Sequence, residues 1–233
     1  MTYIDSYYSR TAEPGIQAQV LRTEIDTPVC IIGGGLAGIS TALGLAERGI
    51  NCVLLEAQQV GWGASGRNGG FVGRGFSQNA LKLVETLGES HARRLYSLTG
   101  QAFGLMQQRI EGHEESILQP GSGSVTASWF DDEPGVKHYV AEMNRIFDET
   151  LEFWPREKIA ENYLTSRYYD GFLKPDTMRM HSLNYTIHTA TLAMQKGARI
   201  YEGTPAKKIR RKGSRWHIVT PSGLVNADQI VYA

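Results

Sequence analysis

Cysteine is scarce in this chain of 233 residues, with only Cys30 and Cys52 present. Both fall inside apolar, strand-like runs, which points to buried thiols in a reducing compartment and not to a disulfide framework. Excess charge of either sign is also missing. Lysine and arginine number 24, aspartate and glutamate 24, for a net charge of zero. That balance excludes a bulk field for nucleic acid or an anionic membrane. No apolar run approaches the roughly 20 residues that a membrane span needs. The opening residues MTYIDSYYSRTAEPG hold neither the basic nor the apolar stretch of a secretory signal. A cytoplasmic location is therefore expected, and the sequon Asn184-Tyr185-Thr186 carries no meaning without a secretory route. Internal repeats and low-complexity linkers are absent as well.

Glycine, in contrast, is abundant at 26 residues, and it clusters twice in one short stretch: IIGGGLAG at 31–38 and GWGASGRNGG at 61–70. Pro28-Val29-Cys30-Ile31-Ile32 is short, apolar and ends in glycine, as a strand buried on both faces would. From Leu36 to Arg48 the apolar positions Ile39, Ala42, Leu43 and Ala46 recur at helical spacing, and Gly49 suits the residue just past a helix. Cys52-Val53-Leu54-Leu55 reads as a second buried strand, so 28–56 has the rhythm of a βαβ unit. Residues 78–118 and 133–161 are predicted mainly helical, with Leu95, Leu98, Ala102 and Leu105 repeating at three and four. Pro120-Gly121-Ser122-Gly123 is expected to break the chain before a strand at Ser124-Val125-Thr126-Ala127. A helix is expected from His181 to Lys196, stopping at Gly197. KKIRR, RWHIVT and LVNADQIVYA follow as short strands in a meander. A chain this long buries one substantial core, or one whole domain plus part of another.

The first cluster is a G-x-G-x-x-G that ends a strand and opens a helix, the context in which that pattern binds a dinucleotide. Gly33 permits the tight turn, Gly35 lets backbone approach a pyrophosphate, and Gly38 lets the helix pack closely on the strand. The helix N-terminus offers free N–H groups and partial positive charge to the phosphates. Glu56, at the end of the second strand, can accept from ribose hydroxyls and would repel a 2′-phosphate, which favours FAD or NAD over NADP. A nicotinamide enzyme needs no second glycine turn directly after that acid. Extended FAD does, because its ribityl diphosphate and ring must be covered by backbone at close range. GASGRNGG supplies N–H groups without bulk, with Ser65 and Asn68 as polar contacts and Arg67 as a cation near phosphate or flavin; a surface turn is the competing reading.

CIIGGGLAGISTALGLAERGINCVLLEA followed by VGWGASGRNGG resembles the N-terminus of FAD-dependent oxidoreductases of the D-amino acid oxidase type. Within them the chain is most similar to the branch of gamma-glutamylputrescine, glycine and sarcosine oxidases. The likeness continues through RMHSLNY and KGARIYEGTPAKKI to the last strand. It implies that Gly33, Gly35, Leu36, Ala37 and Gly38 cradle the FAD pyrophosphate, and that Glu56 takes the adenosine ribose with Ala57 beside it. By the same likeness Ala64, Ser65, Gly66, Arg67, Asn68, Gly69 and Gly70 line the side running from diphosphate to isoalloxazine, and Pro205 and Ala206 meet adenine. Some relatives hold flavin through a histidine after a tryptophan in the second motif. Here Gly63 follows Trp62, so noncovalent FAD is expected.

The resemblance implies an α/β fold: an FAD-binding Rossmann-type domain interrupted by an incomplete α+β substrate domain. The expected organisation is an N-terminal extension over 1–26, the βαβ and second glycine motif over 27–77, a substrate-domain insertion over 78–180, and a return to the FAD domain over 181–233. DQIVYA resembles the strand that returns to the flavin, so the chain reads as roughly the N-terminal half of a family member. The implied reaction oxidises an amine or amino-acid C–N bond, with oxygen as acceptor and a gamma-glutamylputrescine-like substrate favoured. A non-catalytic FAD- or nucleotide-binding module and an NAD-dependent dehydrogenase are the alternatives. No catalytic acid or base emerges from spacing. His181 suits a helix start or packing better than a catalytic role. His181 and His188 lack the acidic or thiol partners of a metal site. Trp154, Tyr163, Tyr168 and Tyr169 suit either a pocket wall or core, and KKIRRK at 207–212 suits a solvated hairpin.

Overall fold

The computed structural model describes residues 2–233, side chains of residues 120–122 excepted, and it divides into two units. The first holds the chain up to Gly70, His113–Ile117 and His181–Ala233; the second holds Phe71–Gly112 and Leu118–Met180. Residues 71–77 and 113–117 thus fall in the opposite unit from the sequence-based boundaries. The chain opens with α1 (Tyr7–Thr11), β1 (Glu24–Ile32), α2 (Leu36–Ala46), β2 (Cys52–Leu55) and β3 (Phe71–Gly73). The helices α3 (Ala80–Leu87), α4 (Glu89–Ile110) and α5 (Glu114–Ile117) follow. Next come β4 (Leu118–Ala127), α6 (Glu133–Phe147), β5 (Glu152–Trp154), α7 (Arg156–Tyr163) and β6 (Gly171–Met180). The last elements are α8 (Ser182–Gln195), β7 (Arg199–Tyr201), β8 (Lys208–Lys212), β9 (Arg215–Val219) and β10 (Leu224–Tyr232).

In the first unit a six-stranded sheet runs β7-β2-β1-β10-β9-β8. Its first four strands are parallel, with Ile31 beside Leu54 and Val231, and the last three form the antiparallel meander. Parallel strands need cover on both faces, and the apolar run of β2 supplies it. Cys52 and Leu54 join Ile31, α2 (Ile39, Ala42, Leu43) and α8 (Ala190, Ala193) in one cluster. Cys30, Val53 and Leu55 pack on the other face with Ile218, Val225 and Ala227. Both thiols are free and buried, and burial pushes the Cys30 thiol up to about 12. Each large aliphatic side chain buried this way contributes about 1.5–3 kcal/mol. The polar helix α8 tolerates its depth because Thr186, Thr189 and Thr191 donate to the carbonyls of Ser182, Tyr185 and Ile187.

The second unit has an antiparallel sheet, β3-β6-β4, with β5 also paired to β6. Helices α4 and α6 pack Ala92, Tyr96, Val140, Met143, Ile146 and Phe147 together, with Phe172 of β6 against them. Two expectations are corrected here. The Pro-Gly stretch at 120–123 does not break the chain; β4 runs through it with shifts in register, and Gly123 takes a φ of 79°. The helix over Leu95–Leu105 exists, but its stripe is misassigned. Leu98 and Leu105 are 54 % and 44 % exposed, and α4 instead turns Ala92, Tyr96 and Ile110 inward.

The closest backbone approach lies between β1 and α2. A Cβ on Gly38 would overlap the carbonyl oxygen of Gly33. Gly38→Ala should therefore push α2 off the sheet and destabilise the protein by about 1–3 kcal/mol, the scale of overpacking. Chemical denaturation checks this; an unchanged midpoint would mean that the helix does not need this approach.

Candidate dinucleotide site

At the carboxyl ends of the parallel strands, the turn after β1 meets three other segments. Gly33 has a φ of 113° and donates to the carbonyl of Leu55 at 2.9 Å. The left-handed region explains why glycine stands there. Strand β2 ends at Glu56, whose carboxylate accepts from Gly34 N at 2.6 Å through Oε2 and from Gln58 N at 2.7 Å through Oε1. Each oxygen keeps a lone pair for a further donor. Gly35 caps α2 with no side chain, so the first N–H groups of the helix lack intrahelical partners.

The two glycine clusters meet in space. Gly61 N donates to Gly34 O at 2.9 Å, and Leu36 N donates to Ser65 Oγ at 2.9 Å. Ser65 lies in a single 3₁₀ turn, Ala64–Gly66, and a hydroxyl that accepts in this way still carries a proton of its own to donate. A Cβ on Gly35 would come within 2.9 Å of that hydroxyl. A Cβ on Gly66 would overlap the carbonyl oxygen of Gly61. Gly38 and Gly66 thus stand where backbone passes backbone, and Gly34 and Gly35 where a Cβ would crowd the side chains of Glu56 and Ser65.

The remaining residues take distinct places. Arg67 folds back on its own loop, donating from Nε to the carbonyls of Trp62 (3.2 Å) and Gly63 (3.3 Å), with the guanidinium over the Trp62 ring. Asn68 braces the same loop, donating to the carbonyls of Ala64 and Ser65 and accepting from Gly70 N. Ala37, Ala57, Ala64 and Gly69 are exposed. Pro205 and Ala206 are half-buried just after Thr204, whose N–H donates to the carbonyl of Glu56 at 2.8 Å.

Two groups beside Glu56 were not legible in the sequence. Glu202, after β7, accepts from Val60 N at 2.7 Å, and Tyr3 donates to Val60 O at 2.8 Å. Burial, with Glu56 nearby, raises the Glu202 carboxyl above its ordinary value, and burial next to both acids pushes the Tyr3 hydroxyl up to about 12. The position of Glu202 at the carboxyl end of a parallel strand was the available signal; Tyr3 had none.

His181 proves to be the N-cap of α8. Its Nδ1 accepts from Asn184 N at 3.1 Å, so its Nε2–H faces Thr11 Oγ1 at 3.0 Å, and the Tyr8 ring lies edge-on. Trp154 is half-buried, Tyr163 exposed, and Tyr168 meets the Trp129 ring edge to face.

Residues 28–233 match the model of the DAO family, described as FAD dependent oxidoreductase. This chain belongs to that family. It is 34 % identical over 206 residues to a probable oxidoreductase OrdL of Rhizobium meliloti, covering 88 % of this chain and 48 % of that one. It is 28 % identical over 232 residues to gamma-glutamylputrescine oxidoreductase of Escherichia coli, covering 99 % of this chain and 54 % of the relative. Glycine oxidase from Geobacillus kaustophilus has the same fold, with a TM-score of 0.73 at 21 % identity over 89 % of this chain and 55 % of that structure. The chain thus spans about half the length of the curated relatives it matches. FAD dependence is the family's property, and the glycine cradle and Glu56 fit that cofactor. No helix among the described residues is long and apolar enough to cross a membrane.

Two outcomes follow from this geometry. In Glu56→Gln one N–H would face an amide NH₂ instead of a carboxylate oxygen, so FAD affinity should fall by roughly 1–3 kcal/mol. Fluorescence titration reads this, and an unchanged dissociation constant removes Glu56 from the ribose role. Burial holds His181 below the ordinary imidazole value, against weaker opposing effects from its backbone hydrogen bond and Glu13. Protonation of Nδ1 also destroys the cap. The cap's contribution, about 1 kcal/mol, should be whole above pH ~6.5 and fade as pH falls below it. His181→Asn, which caps without titrating, should flatten that part of the stability profile; identical profiles would refute the assignment.

Proposed function

We propose that this chain forms the FAD-binding part of an oxidase of amines or amino acids, with a gamma-glutamylputrescine-like substrate. One observation carries the reading: both glycine turns and Glu56 converge at the carboxyl ends of the parallel strands. A nicotinamide site needs the first turn and the acid, but not the second turn locked onto the first through Ser65 and Leu36. In this reading Gly33 to Gly38 accommodate the pyrophosphate against the start of α2, Glu56 accepts from the adenosine ribose, and Pro205 and Ala206 flank adenine. Residues Ala64 to Gly70 line the path from diphosphate toward the ring, with Arg67 and Asn68 holding that loop in shape. Held by these residues, FAD would supply the redox chemistry, accepting a hydride equivalent from the carbon next to nitrogen and passing the electrons to oxygen, with hydrolysis of the imine product by water. The protein's share is position and electrostatics. The choice of substrate follows the 28 % identical relative from Escherichia coli, which matches 99 % of this chain. The two buried free thiols support a cytoplasmic location.

Gly63, not histidine, follows Trp62 in the exposed part of the second loop, so the cofactor is held without a covalent bond. Acid precipitation should leave FAD in the supernatant; a washed pellet that stays yellow contradicts this. Anaerobic addition of gamma-glutamylputrescine should bleach the bound flavin, and admission of air should restore it with release of peroxide. Bleaching by NADH but by no amine would overturn the proposal.

A further inference from the structure

Half of the second loop, GWGASGRNGG at 61–70, is glycine, and glycine loses more freedom than any other residue when a loop takes one shape. Such a loop keeps its shape only if other parts of the chain hold it. Two bonds tie it to the first turn, from Gly61 N to Gly34 O and from Leu36 N to Ser65 Oγ. Val60, the residue before the loop, is fully buried, and side chains occupy both of its backbone groups. Glu202 Oε1 accepts from its N–H at 2.7 Å, and the Tyr3 hydroxyl donates to its carbonyl at 2.8 Å. Trp62 Nε1 adds a bond to Thr2 O at 3.3 Å. Two of the bonds on this stretch therefore come from Thr2 and Tyr3, 60 and 57 positions away in the chain.

The N-terminal residues are held in turn by the start of α8. Ser6 and Ser9 close the capping box that begins α1. Beyond it the Tyr8 ring meets the His181 ring edge-on at 5.0 Å, and Thr11 Oγ1 lies 3.0 Å from His181 Nε2. Glu13 N donates to Asn184 Oδ1 at 2.8 Å. The start of α8 also reaches the loop itself, since Ser182 Oγ donates to Asn68 O at 3.4 Å. One helix end thus anchors both segments. Burial, then Glu202 and Glu56, raise the Tyr3 hydroxyl to about 12, so it remains a donor across the working pH range.

We propose that residues 2–13 form a strap that holds the second glycine loop in its ligand-ready shape, with Tyr3 as the positioning residue acting through the carbonyl of Val60. Tyr3 acts on the loop and not on the cofactor. The consequence for affinity rests on the function proposed above, in which Ala64 to Gly70 line the path from diphosphate to ring. A loop already set in that shape binds FAD without first having to be ordered.

Trypsin reads the loop directly. Arg67 lies within it, its Nε turned onto the carbonyls of Trp62 and Gly63, so cleavage after Arg67 needs the loop to open. Tyr3→Phe keeps the ring and removes the donor. In the flavin-stripped full chain it should speed cleavage after Arg67 by about three- to tenfold, the equilibrium change of one net hydrogen bond. Cleavage after Arg48 and Lys82, both exposed, should keep its rate. The dissociation constant of FAD should rise by a similar factor, while that of ADP, which lacks the flavin end, should stay within about twofold. Unchanged cleavage after Arg67 overturns the proposal. Equal acceleration at all three sites overturns it too, because that marks general loosening and not a released loop. Faster cleavage confined to Arg67, with FAD and ADP affected alike, keeps the strap and refutes the loop's place on the cofactor path.

Discussion

The carboxylate of Glu56 ties the end of β2 to the turn after β1, accepting from Gly34 N and Gln58 N at 2.6 and 2.7 Å. Charge-assisted bonds of this kind are about twice as strong as neutral ones, and this one fixes the shape of the first glycine turn before any ligand arrives. The turn in turn sets where α2 begins, and α2 presents the N–H that Ser65 captures from the second loop. Four segments are thus registered by a single acid at the point where a parallel sheet binds ligands. The order β7-β2-β1-β10 places the turn between neighbours that depart in opposite directions across the sheet, the switch point at which such folds form their crevice.

The two units make opposite use of charge. In the first, acids cluster at the strand ends, where burial, with Glu56 nearby, raises the Glu202 carboxyl above its ordinary value. That polarity suits neutral donors such as ribose hydroxyls and rejects a further phosphate on the ribose. In the second, the cations Arg74 and Lys174 outnumber the acid they surround, Glu149, and the Tyr96 hydroxyl is driven upward by burial and by its bond to Glu149.

Much of the first unit was legible because its signals are local. The run of β2, the glycines of 33–38 and Gly49 report backbone geometry directly, and the helix expected over His181–Lys196 forms as α8 between these two residues as its caps. The second glycine loop could be recognised but not resolved. Nothing in GASGRNGG distinguishes Ser65, which reaches the start of α2, from Arg67 and Asn68, which turn inward to brace the loop. The second unit was less legible, for two reasons. Strand β6, with polar residues and Pro175 along it, lacks the apolar run that announces a buried strand. The inward face of α4 depends on Ala92 and Tyr96, whereas simple hydrophobicity selects Leu98 and Leu105, which the tertiary packing leaves exposed. Glu149, the centre of the charged group, sits in a loop beside Asp148 with φ of 52°, and no sequence pattern marks it.

The central claim is that the two glycine turns and Glu56 together recognise an extended dinucleotide with a flavin at its far end. Calorimetric titration of FAD, FMN and NAD into flavin-stripped protein tests it most directly. FAD alone offers both the adenosine ribose for Glu56 and the flavin end for the second loop. The account predicts FAD binding at least about tenfold tighter than either FMN or NAD, a gap of roughly 1.4 kcal/mol or more. FMN binding as tightly as FAD, or NAD displacing FAD at equal concentration, would contradict it.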